Sequence, residues 1–559
     1  MAVVLVGWAA VRVFSIAKEP LLNNHNMKKT SIVVLASALA CINTLAQNPY
    51  LPLWEYIPDG EPYLFEDPEN PGKMRVYVYG SHDSLIKEYC GREQVVWSTP
   101  EDDLTAWRYD GVIFESKKDA EGNWLYENHQ GDILYAPDVT VREENGKKVY
   151  YLFPNNQANG RKNMIAKSDR PDGPFEVCNW NPSDPTKTVG VLDFDPAVFV
   201  DDDGRVYGYW GFERSFGAEL DPNTMATVKP GTEIVTDMVS ARRQEGVFRF
   251  FEASSLRKIK DKYVFVYSRY TEEGEFGLPA SNYTLAYAWS NNPLGPFTYG
   301  GTIIDGRARG VDEMGNIVPT ATMGGNTHGG ILEIAGQWYV FYHRQCGTDE
   351  FSRQAMVAPI EVKVTEGPDG KVEISEGEYT SEGFAIGGLD PLGTYSAGIA
   401  CWYTGPEPIK QEYPRFMFSG SYVEALRHDV TGYENPYDPA INSNIVVNNT
   451  DGSIVGYKYF NFDKTNGMEC DLMLALEAVP AGIDGTIDIM VDSPWESCGG
   501  KKVGSMKLVK EMPKKKRVLL ADVSSLTELK GKHAIYLVIS SEVKSQSICE
   551  IHTIGFRKK

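Results

Sequence analysis

Five ionisable residues stand at matching places in this 559-residue chain, each shortly before a run of β-branched and aromatic residues. In the last four, the residue comes eight or nine positions before the turn that opens the run, and in the first it comes 13 before. A single acid beside a strand is usually a solvated turn residue, but buried carboxylates are costly unless they are paired or used. The repetition therefore indicates one shared site, formed by Asp59, Asp138, Asp195, Glu252 and His328.

The five runs predict the elements that must position these side chains. Each has a turn signal followed by residues typical of a buried strand. They read GKMRVYVYGSH from Gly72, GKKVYYLFPNN from Gly146, GRVYGYWGF from Gly204, DKYVFVYSR from Asp261 and GQWYVFYHR from Gly336. Five copies of one unit favour a five-bladed β-propeller, in which equivalent positions converge on one axis.

Carboxyl groups that converge in this way suit the hydrolysis of a glycosidic bond. Inversion needs a base for water and a protonated acid, roughly 6.5–9.5 Å apart. A third carboxylate near the acid raises its pKa through like-charge repulsion. Sugar sites also use aromatic walls, and aromatic residues lie near the acids in sequence, either as such walls or as core packing: Trp54, Tyr56, Trp210 and Phe212.

The rest of the chain predicts a second β unit and a leader. After a connecting segment at 363–395, short alternating strands separated by turns predict a jelly-roll-like β-sandwich over 396–559. Residues 1–26 have no usable pattern and are interpreted as a non-native upstream start, and 27–46 resemble a secretory signal peptide. The propeller then spans 47–362. We expect an exported protein, periplasmic or extracellular, with a lipoprotein anchored through Cys41 as the alternative.

Charge limits the classes of binding partner, and cysteine spacing indicates whether the thiols are paired. The formal net charge is −21, and nearly all of the acidic excess precedes Ser396, because acidic and basic residues almost balance after it. This disfavours nucleic acid, anionic membranes and polyuronates, and favours a neutral polysaccharide or oligosaccharide. No stretch predicts a transmembrane segment. The scattered cysteines predict buried free thiols, with a Cys470–Cys498 or Cys498–Cys549 bridge as the alternative.

Six phrases between Asn48 and Val364 together resemble the glycoside hydrolases of family 43: IPDGEPYLF, YAPDV, FDPAVFVDDDG, FFEASSLRKIKDKYVFVYS, NTHGG and SRQAMVAPIEV. The resemblance implies that Asp59 is the general base, Glu252 the general acid and Asp195 the residue that tunes the pKa of the acid. The chain departs from the family pattern where Gly60 and Glu61 replace a proline, and where Ala253 and a serine follow Glu252 in place of Gly-Pro.

The same resemblance implies further site residues. Arg353 lines the sugar subsite, and His328 lies beside a central ion or water, so that it is both a substrate-binding residue and a metal ligand acting through water. We place Asp138, Trp54 and Trp210 with the substrate-binding residues, without a catalytic role for Asp138. No cofactor is required for the chemistry, and a structural Ca2+ at the propeller centre is the expected ion.

The C-terminal phrases DGSIVGYKYFNF and LKGKHAIYLVI resemble family 6 carbohydrate-binding modules. An expected aromatic residue near 516–519 is absent, so a sandwich that packs on the propeller without binding sugar stays an open alternative.

The function predicted from the sequence is an inverting α-L-arabinofuranosidase acting on side chains of plant polysaccharides. The alternatives within the family are a β-D-xylosidase, a xylanase or a galactanase. A non-catalytic sugar-binding propeller would lack one of the three acids, and a retaining fructosidase would need an Asn-Asp-Pro-Asn segment that the sequence does not contain.

Overall fold

Antiparallel strands dominate the computed structural model, which describes residues 46–241, 246–322, 324–428 and 431–559. The interpretation of residues 1–26, and nearly all of the 27–46 leader, lies outside the described residues. All five predicted runs form strands, which confirms the prediction: Met74–Tyr79, Lys147–Phe153, Val206–Trp210, Lys262–Thr271 and Gln337–Gln345. Helical structure in the described part is confined to 3-10 turns at Glu275–Gly277, Ala397–Ile399, Phe462–Lys464, Glu496–Cys498 and Ser524–Glu528.

Each predicted strand is the second strand of a separate sheet whose spatial order follows the chain. The first sheet contains Glu61–Glu66, Met74–Tyr79, Glu93–Pro100 and Arg108–Glu115, and the second Asp138–Glu144, Lys147–Phe153, Ala166–Ser168 and Glu176–Val177. The third contains Ala197–Val200, Val206–Trp210, Phe216–Leu220 and Val235–Thr236, and the fourth Phe250–Ile259, Lys262–Thr271, Ser281–Ser290 and Thr298–Asp305. The fifth contains Ile331–Ile334, Gln337–Gln345 and Arg353–Ile360.

Two-residue turns join the first two strands of the second, fourth and fifth sheets, whereas loops of seven and five residues join them in the first and third. In the second sheet, Asn145 and Gly146 have φ angles of 52° and 75°. Positive φ at both central residues is the signature of a type I′ hairpin, which Asn-Gly favours. A glycine with positive φ opens four of the five predicted runs, at Gly72, Gly146, Gly204 and Gly336.

Alternating side chains on the second strands pack each sheet against both of its neighbours. In the first sheet, Val76 and Val78 join a cluster with Phe341 of the fifth sheet, whereas Tyr77 and Tyr79 pack with residues of the second. Equivalent clusters lie between the second and third, third and fourth, and fourth and fifth sheets. The five sheets are therefore in contact as a closed series, which the period of two in the strands makes possible.

The start of the described chain covers the outer edge of the three-stranded fifth sheet. The Asn48 side chain donates to the Val357 carbonyl at 2.7 Å and accepts from the Val357 amide at 3.0 Å. The Tyr50 amide donates to the Ala355 carbonyl at 3.3 Å. Residues 48–50 thus satisfy backbone groups that would otherwise stay unpaired at this edge.

Two larger antiparallel sheets follow. One contains Thr394–Ser396, Tyr422–Val423, Val446–Val447, Leu472–Pro480, Arg517–Asp522 and Cys549–Lys558, and the other Trp402–Thr404, Ile454–Asn461, Gly485–Val491, Lys501–Leu508 and Lys532–Ser540. Two-stranded pairs are formed by Trp180–Asn181 with Asp184–Thr188, Arg309–Val311 with Ile317–Pro319, Val362–Val364 with Val372–Ile374, and Lys410–Glu412 with Arg415–Met417.

One hydrophobic cluster connects these two sheets with the fourth and fifth. It contains Leu474 and Leu476 of one sheet, Ile535 and Leu537 of the other, and Val340 of the fifth. The seven cysteines of the described residues are all free, as the scattered spacing predicts, but only four of them are buried: Cys178 is exposed, and Cys470 and Cys498 are partly exposed. No helix in the described segments is both long and apolar enough to cross a membrane.

Candidate active site

A cavity of about 540 Å³ contains five of the predicted site residues: Asp59, Asp195, Glu252, His328 and Arg353. All five side chains are nearly inaccessible to solvent and form the floor. The mouth is different, because the rings of Phe212 and Tyr413 are 51% and 69% exposed. The cavity thus has a buried polar floor and a mouth that opens to solvent between aromatic rings.

The fold delivers the floor residues from the beginning of the first strand in four different sheets. Asp59 comes two residues before Glu61–Glu66, Asp195 two before Ala197–Val200, and His328 three before Ile331–Ile334, while Glu252 is the third residue of Phe250–Ile259. Neighbouring first strands are in contact between the first and fifth, second and third, and third and fourth sheets. Equivalent ends therefore lie together, as the repetition predicts.

Two of the floor carboxylates have a strained backbone. Asp59 and Asp195 have φ angles of 61° and 47°, and Ala253, directly after Glu252, has 72°. The left-handed region costs a non-glycine residue about 1 kcal/mol, and such strain concentrates at functional sites. This backbone conformation accompanies the orientation of three carboxyl groups toward one cavity.

Asp59 is held in its charged form. Burial opposes ionisation, but the charges of Arg353 and His328 and a hydrogen bond from Ser81 outweigh it, so the pKa of Asp59 lies below its usual range. Arg353 Nη1 donates to both carboxylate oxygens, at 3.1 and 3.2 Å. Asp59 is therefore a carboxylate at neutral pH, able to accept a proton from water.

Glu252 has the opposite electrostatics. Burial and the nearby charges of Asp195 and Asp59 raise its pKa well above the usual glutamate range, against the smaller effects of His328 and Arg353. Like-charged groups that share a site force one of them to keep its proton. Glu252 is therefore protonated at neutral pH and can donate a proton.

Asp195 connects the acid to its surroundings. Its Oδ2 accepts from the Ala253 amide at 3.0 Å, directly after Glu252, and its Oδ1 accepts from Asn155 at 2.7 Å. His328 Nδ1 lies 3.6 Å from Oδ2. Burial lowers the pKa of His328, but Asp195, Asp59 and Glu61 raise it to about 9, so this imidazole is charged at neutral pH.

Several residues that hold the floor side chains in place were not predicted from the sequence. The Asp83 carboxylate accepts from Arg353 Nε at 2.9 Å and from Nη2 at 2.8 Å, which fixes the plane of the guanidinium group. His343 Nδ1 accepts from the Asp59 amide at 3.2 Å, and burial lowers its pKa to about 4, so it is neutral. The phrase YGSHD, directly after the first predicted strand, was the available signal for Ser81 and Asp83.

The structure does not bring three of the predicted substrate-binding residues to this cavity. Trp54 is fully buried against Tyr433 and donates from Nε1 to the Pro436 carbonyl, which is the core-packing alternative. Trp210 stacks on Phe216 and lines a neighbouring cavity. Of the aromatic residues singled out from the sequence, it is Phe212 that lines both cavities.

The third of these residues, Asp138, lies in a buried cluster with Glu61, Tyr63 and Arg257. It accepts from the Tyr63 hydroxyl and from the Val198 amide. Burial and the charge of Glu61 raise its pKa to about 7. Asp138 occupies the repeated position of the second sheet without lining the cavity.

The surroundings of His328 give a mixed fit to an ion. Both ring nitrogens and Glu61 Oε1 are buried without a hydrogen-bond partner, and Nε2 lies 3.8 Å from that oxygen. A water or ion could satisfy them. However, the charged imidazole would repel a cation, and in the described segments no group of three His, Cys, Asp or Glu side chains is arranged to hold a metal.

Comparisons with known proteins identify a family and several relatives of this chain. The model of the family described as "Glycosyl hydrolases family 43" matches residues 77–367. A "Xylosidase/arabinosidase" from Thermoclostridium stercorarium is 33% identical over 432 residues, 74% of this chain and 82% of the relative. An "Arabinoxylan arabinofuranohydrolase" from Paenibacillus polymyxa is 26% identical over 89% of this chain and 70% of its own length. A "Xylosidase/arabinosidase" from Bacteroides ovatus is 28% identical over 53% of this chain and 88% of its own length.

The raised pKa of Glu252 predicts a pH-dependent stability. The native state keeps this proton at pH values where the unfolded chain has lost it, so the unfolding free energy falls as pH rises above the ordinary glutamate range. Glu252→Gln removes this contribution. We expect the melting temperature of the variant, relative to wild type, to be higher at pH 9 than at pH 5, by roughly 2 °C or more.

Thermal unfolding followed by circular dichroism measures this difference. Glu333→Gln, which changes an exposed glutamate on the fifth sheet, is the matched control and should show the same difference at both pH values. A Glu252→Gln curve parallel to wild type across this range would contradict the electrostatic account of the floor.

Proposed function

The chain belongs to glycosyl hydrolase family 43, and from that premise we propose that it is an inverting α-L-arabinofuranosidase that removes side chains from a neutral plant polysaccharide. A β-D-xylosidase is the first alternative, and a xylanase or a galactanase is a more distant one. One observation carries the proposal: two carboxyl groups on the same cavity floor have pKa shifts of opposite sign.

The roles follow from those shifts. Asp59, charged at neutral pH, accepts a proton from the attacking water, and Glu252 gives its proton to the departing oxygen. Asp195 keeps the acid protonated through its charge and orients it through the Ala253 amide. Water attacks from the face opposite the leaving group, so the product has the inverted anomeric configuration.

The remaining floor residues support binding and charge control. Arg353 holds Asp59 charged and presents its Nη1 toward Asn326, at 3.3 Å from Oδ1. His328 offers two unpaired nitrogens to sugar hydroxyls or to a bound water. A Ca2+ ion at this point would need water ligands between it and His328 and Glu61, which is how the expected structural ion would be held.

We further propose that the five sheets are the blades of a β-propeller over about 47–362, followed by a connecting segment and a C-terminal sandwich resembling a family 6 carbohydrate-binding module. The closed series of inter-sheet clusters and the two large antiparallel sheets support this architecture.

Export to the periplasm or the cell exterior is also proposed. It is supported by Lys28, Lys29 and the following apolar run. Recovery of the protein in the cytoplasm with residues 27–46 still attached would contradict export, and a first residue at Cys41 would indicate the lipoprotein.

The choice of sugar is tested by comparing two aryl glycosides, an α-L-arabinofuranoside and a β-D-xylopyranoside. We expect the larger kcat/KM on the arabinofuranoside, and proton NMR should show the inverted anomer as the first product. Preference for the xylopyranoside would favour the xylosidase assignment. Binding of oligosaccharides without hydrolysis of any substrate would instead indicate a sugar-binding propeller.

The division of labour predicts different responses to the leaving group. Glu252→Gln should slow hydrolysis of natural oligosaccharides by about 10²–10⁴-fold, because their alcohol leaving groups need a proton. A dinitrophenyl glycoside should be largely spared, since dinitrophenolate departs without one. Asp59→Asn should abolish both reactions, and Glu333→Gln should change neither. Equal losses on the two substrates in Glu252→Gln would rule out its role as the acid.

Asp195→Asn tests the tuning of the acid. Because the Asp195 charge raises the pKa of Glu252, its removal lowers that pKa, and Glu252 then loses its proton at lower pH. The alkaline limb of the pH profile of kcat/KM should move to lower pH, while the acidic limb, set by Asp59, stays closer to its place. Asp193→Asn, an exposed change two residues away, should leave both limbs in place.

A further inference from the structure

A hairpin from beyond the five sheets reaches the candidate active site. Its strands are Lys410–Glu412 and Arg415–Met417, within the part of the chain that also supplies the two large C-terminal sheets. Two of its residues, Gln411 and Tyr413, line the same cavity as the three carboxyl groups. No site residue was predicted from the sequence in this part of the chain.

The hairpin, which is defined here as residues 410–417, is fixed to the loop before the last strand of the fifth sheet. The Glu350 amide donates to the Pro414 carbonyl at 3.0 Å, and the Phe416 amide donates to the Thr348 carbonyl at 2.9 Å. Gln411 Nε2 donates to Glu350 Oε1 at 2.5 Å. Backbone and side-chain contacts thus hold the hairpin at the cavity wall, so its position is set by the fold.

The same loop connects the hairpin to the floor. Glu350 also accepts from the Tyr89 hydroxyl, and the Arg353 guanidinium lies 4.9 Å from the centroid of the Tyr89 ring. Arg353 in turn holds Asp59. Glu350, Arg353 and Tyr413 all line the same cavity.

Tyr413 is 69% exposed, whereas the floor carboxyl groups are almost fully buried. A large aromatic ring that stays in water beside a polar cavity is available for a ligand, and the flat C–H face of a neutral sugar covers such a ring without charge. Because the floor is closed, the sugar being cleaved must enter first. The polysaccharide to which it is attached then extends through the mouth, which Tyr413 and Phe212 border.

We propose that the 410–417 hairpin forms part of the leaving-group subsite, with Tyr413 as the aromatic platform for a sugar of the polysaccharide main chain. This inference rests on the proposed function and gives the C-terminal region a part in substrate selection at the active site. Gln411, through Glu350, is a positioning residue that holds the hairpin against the fifth sheet.

The test compares two substrates that differ only in what lies beyond the scissile bond. An arabinose-substituted xylo-oligosaccharide reaches Tyr413, whereas α-L-arabinofuranosyl fluoride has a single-atom leaving group and cannot. For Tyr413→Ala we expect the ratio of kcat/KM on the oligosaccharide to kcat/KM on the fluoride to fall about tenfold. Tyr413→Phe keeps the ring and should restore most of the ratio.

Trp124→Ala is the matched control, because Trp124 is also an exposed aromatic residue (46%) but does not line the cavity. Its ratio should equal that of wild type. An unchanged ratio in Tyr413→Ala would overturn the proposal. Equal losses on both substrates would assign the ring a structural role, and no loss on either would show that the ring contributes nothing to hydrolysis.

A binding measurement separates this inference from the proposed function. In the Asp59→Asn background, calorimetry with the same oligosaccharide should show about tenfold weaker binding after Tyr413→Ala, with arabinose binding changed far less. If wild type hydrolysed neither substrate, the proposed function would fail, and this measurement would still decide on the platform. Unaltered oligosaccharide binding in Tyr413→Ala would exclude it.

Discussion

Three carboxyl groups buried at one point are the constraint on which the rest of the molecule depends. Placing Asp59, Asp195 and Glu252 together without water would be strongly unfavourable if all three were charged. The chain resolves this with two devices. Arg353, itself locked by Asp83, stabilises one carboxylate, and a neighbouring charge keeps the proton on another. A charged carboxylate and a protonated carboxyl group at the same pH are therefore a result of this crowding.

The architecture makes such crowding mechanically possible. A single sheet would place equivalent residues of adjacent strands along a row, whereas five sheets packed in a closed series bring the beginnings of their first strands to one place. The hydrophobic clusters between sheets provide the stability that offsets the local backbone strain at Asp59 and Asp195. The hydrophobic cluster around Val340 extends into the C-terminal sheets, so the support of the site continues beyond the repeats.

Local patterns predicted the repeated part of this structure well, because strand periodicity and turn chemistry act over a few residues. The five strands and the ionisable residues that precede them could be located in this way. His343 could not be predicted, because it lies 284 positions after Asp59 in the chain and meets it only in the folded structure. Proximity in sequence also misled: Trp54 and Trp210 lie near acids along the chain, but their side chains point into packing clusters. The hairpin at 410–417 carries no signal of its own, since its role comes from where the fold places it.

The attachment of residues 48–50 to the last strand of the fifth sheet has a consequence for assembly. The first described residues cannot find their partners until Ala355 and Val357 have been synthesised, and Asp59 cannot meet Arg353 before the same moment. Contacts of such long sequence separation form late. In a partly synthesised chain, Asp59 therefore lacks the arginine that pairs with its carboxylate. The charged floor is complete only when the fifth sheet has packed against the first. Completion of the buried site thus depends on the end of the repeated region, because Arg353, which stabilises the Asp59 carboxylate, lies on the last strand of the fifth sheet.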